Sequence, residues 1–206
     1  KDDKLYGLGS TDMKGFFPLA LEAAREFCDT PLRQPLIILA TADEESSMSG
    51  AQALADAGRP LGRQAIVGEP TGLVPVRLHK GIMMESIRIT GRSGHSSDPS
   101  LGDNAVDGLH AVLGDLMSYR KALRERHLQP LFEVAHPTLN LGCVHGGDNP
   151  NRICGKAEVH FDVRVTPGCR NEDIRAELRE RLAAIASGHS LQFEMNSLIA
   201  GADSFE

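Results

Sequence analysis

The sequence predicts a mixed α/β protein: part of a parallel α/β domain, followed by an α+β domain of ferredoxin-like type. Two observations carry this prediction. In residues 1–76, continuous apolar runs alternate with helical patterns, which is typical of parallel strands covered on both faces. In residues 80–197, apolar and polar residues alternate strictly, which is typical of antiparallel strands with one wet face. The pattern changes near 75–81, and 206 residues are enough for two modest domains.

The elements of the first part follow in order. Apolar residues spaced for one helix face begin at Phe16, after Asp12. A strand is predicted over 36–41, then a short helix over 48–57, and a second strand over 65–67.

The second part carries the order strand, helix, strand, strand, helix, strand. Alternation over 156–165 predicts a strand, and the same period recurs at 139–143 and 191–195. Helical spacing covers 103–126 and 172–187. This order is that of the split β-α-β, ferredoxin-like arrangement.

Bulk composition narrows the class of protein. Apolar residues make up 41% and charged residues 24%, as in ordinary globular proteins. A net charge of −6 argues against a nucleic-acid surface, and no apolar run reaches the ~20 residues of a membrane span. Four cysteines without C-x-x-C spacing favour reduced thiols and a cytoplasmic location.

Acidic residues follow the predicted strands. Glu44 and Glu45 come after 36–41, Glu69 comes after 65–67, and Asp12 lies in the loop before the first helix. The carboxyl ends of parallel strands share one edge, so we expect these acids to converge. Carboxylates crowded together repel unless cations lie between them, which predicts a metal site, with one or two ions. Capping of helix N-termini is the competing explanation for each acid taken alone.

Adjacent residues at a strand end point in different directions. Glu44 and Glu45 are therefore not expected to ligate the same ion equally. One of them can bind metal while the other faces the reacting water as general base. The residues alone leave open which does which.

The sequence resembles the acetylornithine deacetylase family, within the di-zinc aminoacylase/carboxypeptidase superfamily that includes succinyl-diaminopimelate desuccinylase. The segments that carry the resemblance cover nearly the whole chain in family order: LYGLGSTDMKG, LATADEESSMSGA, IVGEPT, RLHKG, SGHSSDPSLGDNA, PTLNLGCVHGGDNPNRICG and FDVRVTPG.

The resemblance implies a zinc-peptidase-like catalytic domain, with two Zn²⁺ ions (or Co²⁺) that hydrolyse N-acetyl-L-ornithine in arginine biosynthesis. Asp12 would bridge the two metals, and the Asp12–Met13 peptide would be cis. Glu45 would ligate one metal and Glu69 the other. Glu44 would be the general base.

The resemblance also implies an inserted ferredoxin-like lid that forms a homodimer. His95 in the lid would reach across the dimer to polarise the scissile carbonyl, and Asn151 and Arg164 would hold the substrate's carboxylate region. Without the resemblance, His95 reads as a polar loop residue, Asn151 as a turn residue, and Arg164 as an exposed partner of Asp162. Arg152 has no assigned role.

The domain boundaries expected on this basis are 1–77 for part of the catalytic domain, 78–197 for the lid, and 198–206 for the return toward the catalytic domain. Relatives carry an H-x-D motif upstream and a metal-binding histidine downstream, and neither is present here. We therefore expect an internal piece of a longer enzyme, with three of five protein ligands.

The alternatives are a related amidohydrolase (a succinyl-diaminopimelate desuccinylase or a dipeptidase) and a non-catalytic dimerisation fragment. A small N-acyl amino acid is the expected ligand, with no nucleic acid or membrane partner.

Overall fold

The computed structural model describes residues 2–45, 48–58 and 62–206, and the chain divides into two compact units, 1–76 and 77–206. Each unit has its own architecture. In the described part of the chain, no helix is both long enough and apolar enough to cross a membrane.

The described residues of the first unit form two helices, α1 (Phe16–Arg25) and α2 (Ser49–Asp56), close to the predicted positions. Over 2–45, 48–58 and 62–76 the structure forms no β-strand, so the strands predicted at 36–41 and 65–67 are not formed in this chain. Their side chains are exposed, with Ile38 at 40% and Ile66 at 89%. A parallel strand needs hydrogen-bonded neighbours and covering helices, and these segments find no strand partner among the described residues. The mixed α/β class holds for the whole chain.

The second unit is built on a four-stranded antiparallel sheet in the order β3-β5-β1-β6. Its strands and helices are β1 (Gly81–Thr90), β2 (Gly94–His95), α3 (Ala105–Arg124), β3 (Thr138–Gly146), β4 (Arg152–Ile153), β5 (Lys156–Val165), α4 (Asn171–Ala186) and β6 (Gln192–Ser197). Strands β2 and β4 form a separate two-stranded ribbon. The order β1-α3-β3-β5-α4-β6 confirms the ferredoxin-like prediction.

The core of this unit lies between one face of the sheet and the two helices. The predicted apolar face of β5 is buried at every position, with exposures of 0–3%, and comprises Ala157, Val159, Phe161, Val163 and Val165. Helix α3 contributes a stripe at helical spacing that includes Val112, Leu116 and Leu123. Its N-terminus is capped by Asn104, whose side-chain oxygen accepts a hydrogen bond from the Val106 N–H at 3.0 Å.

Strand β3 departs from the predicted alternation. Leu139 and Leu141 oppose Val163 and Phe161, as expected, but a register shift between Leu141 and Cys143 resets the pairing. Cys143 then opposes His160 and is exposed, although the sequence pattern placed it on the apolar face. A bulge adds one residue to a strand, so every side chain after it changes face.

Two glutamates of the second unit form hydrogen bonds and ion pairs between its elements. Glu85 in β1 is 1% exposed and accepts a hydrogen bond from Arg175 Nε of α4 at 2.8 Å. Glu177 of α4 accepts hydrogen bonds from the Tyr119 hydroxyl at 2.7 Å and from Arg126 at 2.9 Å. These contacts tie α4 to the sheet and to α3.

Residues 198–206, expected to lead back toward the catalytic domain, lie within the second unit. Ala202 pairs with Ile82 and Phe205 pairs with His79, both antiparallel. The segment therefore continues along the beginning of β1.

Candidate active site

The loop before α1 positions Asp12. The Gly15 N–H donates to the Gly9 carbonyl at 3.2 Å, and the Phe16 N–H donates to the Met13 carbonyl at 2.9 Å, which closes the loop onto the helix start. The Asp12–Met13 peptide is cis, as the resemblance predicted. Asp12 itself is exposed.

The three consecutive acids at 43–45 make different interactions. Asp43 accepts a hydrogen bond from the Ser49 hydroxyl at 2.9 Å, and its carbonyl accepts one from the Met48 N–H at 2.7 Å. Asp43 therefore connects the loop to Ser49, the first residue of α2, but it does not cap the helix, because among the described residues its carboxylate accepts from no backbone N–H at the N-terminus of α2. Glu44 and Glu45 are exposed, and their charges act on Glu69.

A close approach brings the segment of Glu69 against α1. A Cβ built on Gly68 would collide with the ring of Phe16, so only glycine lets the chain pass there. Because Phe16 opens α1 and Asp12 lies in the loop before it, this packing brings residue 69 toward residue 12.

The pKa of Glu69 is consistent with this approach. The pKa of Glu69 is raised first by loss of part of its water shell, and then by the negative charges of Asp12, Glu44 and Glu45. Like charges disfavour ionisation of a neighbouring carboxyl, so the three other acids lie close enough to act on Glu69. In the described part of the chain, neither α1 nor α2 has a side-chain hydrogen bond at its N-cap or an acid in its first turn, so helix capping does not account for these four acids.

The four acids Asp12, Glu44, Glu45 and Glu69 do not form a complete metal-binding site. Within the ranges 2–45, 48–58 and 62–206, no three His, Cys, Asp or Glu side chains are arranged to hold a metal ion. Carboxylate oxygens are donors that suit zinc, but Asp12, Glu45 and Glu69 are not a complete ligand set in this chain.

His95 lies in the β2–β4 ribbon of the second unit. Gly94 pairs with Ile153 and His95 pairs with Arg152. Directly opposed residues of an antiparallel pair project to the same side, so the His95 and Arg152 side chains share a face. The Ser96 N–H donates to the Asn151 carbonyl at 3.0 Å and holds the two connections together.

The loop around His95 is internally bonded. His95 Nδ1 lies 2.7 Å from the Ser97 hydroxyl and accepts from the Ser97 backbone N–H at 3.3 Å. Asp98 accepts from the Ser100 hydroxyl at 2.6 Å and from its N–H at 3.0 Å, and these hydrogen bonds lower the pKa of Asp98. The His95 side chain is exposed to solvent, and its Nδ1 is hydrogen-bonded to Ser97.

The structure brings Asn151 near His95 but separates both from Arg164. The ribbon adjoins the end of the sheet where Thr90 pairs with Lys156. Arg164 lies eight residues further along β5, about 27 Å at ~3.4 Å per residue. There it is exposed, with Nε 3.0 Å from an Asp162 carboxylate oxygen. Within a single chain, Asn151 lies in the turn before β4, near the Lys156 end of β5, and Arg164 lies near the other end of β5.

Sequence reasoning left two neighbours of His95 without a role. Ser97 bonds the imidazole, and Arg152 lies opposite it, with its own guanidinium paired to Asp148 at 2.5 Å. The spacing His95-x-Ser97 is the kind of short-range signal from which a hydrogen-bonded turn could have been predicted. The position of Arg152 depends on the β2–β4 pairing, which two-residue strands do not reveal in sequence.

Most of the second unit matches a known domain family. The family described as M20_dimer, the peptidase dimerisation domain, matches residues 77–190. The chain belongs to this family of peptidase dimerisation domains.

Curated relatives of this M20 chain share its sequence closely. The acetylornithine deacetylase of Pectobacterium atrosepticum is 50% identical over 185 residues, which is 90% of this chain and 48% of the relative. That of Klebsiella pneumoniae (strain 342) is 51% identical over the same shares. The M20 chain therefore spans about half the length of the curated relatives it matches.

A solved structure shares the fold. The hydantoinase/carbamoylase family amidase from Burkholderia ambifaria superposes with a TM-score of 0.50 at 15% identity, over 63% of this chain and 30% of that one. At this identity the likeness concerns the fold of the M20 chain alone.

Proposed function

We propose that this chain is part of a cytoplasmic, metal-dependent amidohydrolase that converts N-acetyl-L-ornithine to L-ornithine and acetate in arginine biosynthesis. The observation that carries the proposal is the approach of Glu69 to the other acids: Gly68 packs on Phe16, and the charges of Asp12, Glu44 and Glu45 raise the pKa of Glu69. The identity of about half the residues with proteins named acetylornithine deacetylase supports the choice of substrate.

The reaction adds water across an amide. In our proposal Glu44 takes a proton from the attacking water and later gives it to the leaving amine nitrogen. His95 donates a hydrogen bond to the carbonyl oxygen as negative charge develops there. The products are acetate and the free amine.

Asp12, Glu45 and Glu69 would contribute to holding two zinc or cobalt ions, with further ligands from outside this chain. When bound, these ions supply Lewis-acid activation of the water and of the acyl carbonyl. Without them the negative charges of Asp12, Glu44 and Glu45 disfavour ionisation of Glu69.

We also propose a homodimer whose active site is composite. Arg164 lies about 27 Å along β5 from Lys156, which is at the end of the strand near His95 and Asn151, and this is more than an N-acetyl amino acid spans. If both groups contact the same substrate, they come from different protomers. Membership of a dimerisation-domain family supports this arrangement.

The general base is tested in the full-length parent enzyme by Glu44→Gln. We expect kcat to fall by about 10²–10⁴-fold, the usual contribution of general acid–base catalysis. The matched control is Asp43→Asn, which alters the neighbouring acid that accepts a hydrogen bond from Ser49 and should leave kcat within a few-fold. Full activity of Glu44→Gln would overturn the proposed mechanism.

The composite site is tested with two inactive parents, His95→Ala and Arg164→Ala, denatured together and refolded. Each mixed dimer would then carry one intact site and one doubly altered site. We expect roughly a quarter of wild-type activity, because half the dimers are mixed and half of their sites are intact. No recovery from a verified mixed dimer would place both residues in one protomer's site.

A substrate panel addresses the related amidohydrolases. N-acetyl-L-ornithine, N-succinyl-diaminopimelate and a simple dipeptide are compared by kcat/KM in the parent enzyme with zinc or cobalt added. Preference for the succinylated substrate or the dipeptide would replace the deacetylase assignment while keeping the amidohydrolase class.

A second candidate function, favoured by the incomplete ligand set, is a dimerisation module without catalysis. Light scattering of this 206-residue chain in chelator would show a stable dimer under either candidate. Acetate release by the parent enzyme, lost with chelator and restored by zinc, would be expected only of the hydrolase.

A further inference from the structure

The hydrogen bonds around the His95 ring determine which nitrogen carries its proton. Nδ1 accepts from the Ser97 backbone N–H at 3.3 Å. A backbone N–H can only donate, so Nδ1 must present a lone pair. The Ser97 hydroxyl, 2.7 Å from the same nitrogen, must then donate as well, because an unprotonated Nδ1 has no hydrogen to give it.

We infer that neutral His95 carries its proton on Nε2, and that Ser97 is the positioning residue that fixes this tautomer and the orientation of the ring. Both donors of Ser97 meet the inner nitrogen, so the outer nitrogen is left as an N–H donor. The tautomer of a histidine is commonly set by the hydrogen bond made by its other nitrogen.

The surrounding loop holds Ser97 in place. The Asp98 N–H donates to the His95 carbonyl at 3.2 Å, and the Ser96 N–H is bound to the Asn151 carbonyl at 3.0 Å. A Cβ on Gly94 would lie 2.8 Å from the Leu101 carbonyl, so the turn is packed against the segment that follows it. The backbone that presents the Ser97 N–H is thus bonded on both sides.

The chemical consequence rests on the proposed function. A carbonyl oxygen that gains negative charge needs a donor, and an Nε2–H supplies one without a charged imidazolium. The opposite tautomer would aim a lone pair at the carbonyl oxygen and repel it. Ser97 would therefore act on the reaction through His95, without touching the substrate.

The tautomer is measured directly on this 206-residue chain by long-range ¹H–¹⁵N NMR of the imidazoles. The chain is labelled with ¹⁵N-histidine and studied at about pH 9, above the ordinary histidine pKa of ~6.5. His95 is assigned by loss of its signals in His95→Gln. We expect a proton on Nε2 and a hydrogen-bonded, unprotonated Nδ1. A proton on Nδ1 in the wild-type chain would overturn the inference whatever the activity.

Ser97→Ala removes the shorter of the two donors. We expect the Nδ1 shift of His95 to move toward the value of a weakly bonded nitrogen, while Ser97→Thr restores it and Ser96→Ala leaves it unchanged. An Nδ1 shift in Ser97→Ala equal to that of wild type would remove Ser97 from the positioning role.

In the parent enzyme, Ser97→Ala should lower kcat about 10-fold with KM within about 2-fold, because the hydrogen bond to the carbonyl strengthens in the transition state. Ser97→Thr should recover most of kcat, and Ser96→Ala should match wild type. A change confined to KM would contradict the positioning role. A parent enzyme inactive on N-acetyl-L-ornithine would refute the proposed function but leave the NMR result standing.

Discussion

Glu85 is a carboxylate in the middle of β1 with almost no contact with water. Arg175 donates to it at 2.8 Å, and the Ser197 hydroxyl lies 2.9 Å from its other oxygen. Arg175 is itself only 13% exposed. A buried pair of this kind is costly to break, because the remaining charge loses its partner without gaining water.

We predict that Glu85→Ala lowers the free energy of unfolding by about 3–5 kcal/mol. Urea unfolding followed by circular dichroism measures the change. The control is Glu158→Ala, which removes a partly exposed carboxylate that lies 3.5 Å from Arg88 and 3.3 Å from His160, and it should cost no more than about 1 kcal/mol. Equal effects of the two substitutions would mean that burial does not govern the Glu85 pair.

Cys169 has a raised thiol pKa. Burial is the main cause and nearby carboxylates add to it, against the opposing charge of Arg126, so the pKa reaches about 11 against an ordinary 9.0. Between these values the folded chain holds a proton that the unfolded chain has lost. The free energy of unfolding therefore falls as pH rises from about 9 to about 11.

We predict that Cys169→Ala has a smaller loss of stability than wild type between about pH 8.5 and 10.5. Urea midpoints at both pH values measure this difference. In parallel, a thiol reagent should modify the exposed Cys28 and Cys143 rapidly, and Cys154 and Cys169 only on unfolding. Rapid modification of Cys169 in the folded chain would contradict the burial.

At the scale of elements, helix α3 shows how amphipathic spacing becomes stability. Leu116 is 2% exposed against the sheet, whereas the next residue, Met117, is 44% exposed. Successive helical residues lie about 100° apart, so neighbours in sequence occupy different environments.

We predict that Leu116→Ala costs about 2–5 kcal/mol of unfolding free energy, because it removes buried methyl groups and leaves a cavity. Met117→Ala on the same turn should cost less than about 1 kcal/mol. The two variants are compared by urea unfolding under identical conditions. Similar losses would show that this face of α3 is not oriented as described.

The strands differ in how closely the observed alternation follows the alternation predicted from sequence. Strand β5 follows its alternation over the full length, and its predicted bounds are those observed. In β3 the alternation fails at Gly142, because the choice between a regular ladder and a bulge depends on the register with β5. No residue pattern within β3 itself specifies that register.

At the scale of the whole molecule, the two units differ in how much of their apolar side chains is buried. In the second unit the apolar faces of the sheet and helices meet in a core. In the first unit Leu36 is 57% and Ile66 is 89% exposed. Exposed apolar runs that lack ladder hydrogen bonds have little to protect them from water.

We predict that hydrogen exchange in this chain separates the two units. Amides of β1, β5 and α3 should exchange slowly, because their hydrogen bonds open only with the core. Amides over 36–41 and 65–67 should exchange at least about 100-fold faster, corresponding to a difference of ~3 kcal/mol or more in opening free energy. Mass spectrometry of peptic fragments measures both classes. Protection of 36–41 equal to that of β5 would show that this segment has found strand partners.

The sequence by itself determined the elements and faces that depend on local pattern. Helices α1 to α4, the apolar face of β5 and the ferredoxin-like order follow from spacing, because a helix or strand buries the side that its periodicity makes apolar. Only the tertiary structure decided which distant residues meet. Convergence at Glu69 required the Gly68–Phe16 packing, the bonding of His95 required the turn to Ser97, and the separation of Arg164 from Asn151 required the length of β5. Strands at 36–41 and 65–67 were not formed because a strand is stabilised by its neighbours, and its own sequence does not specify whether they are present.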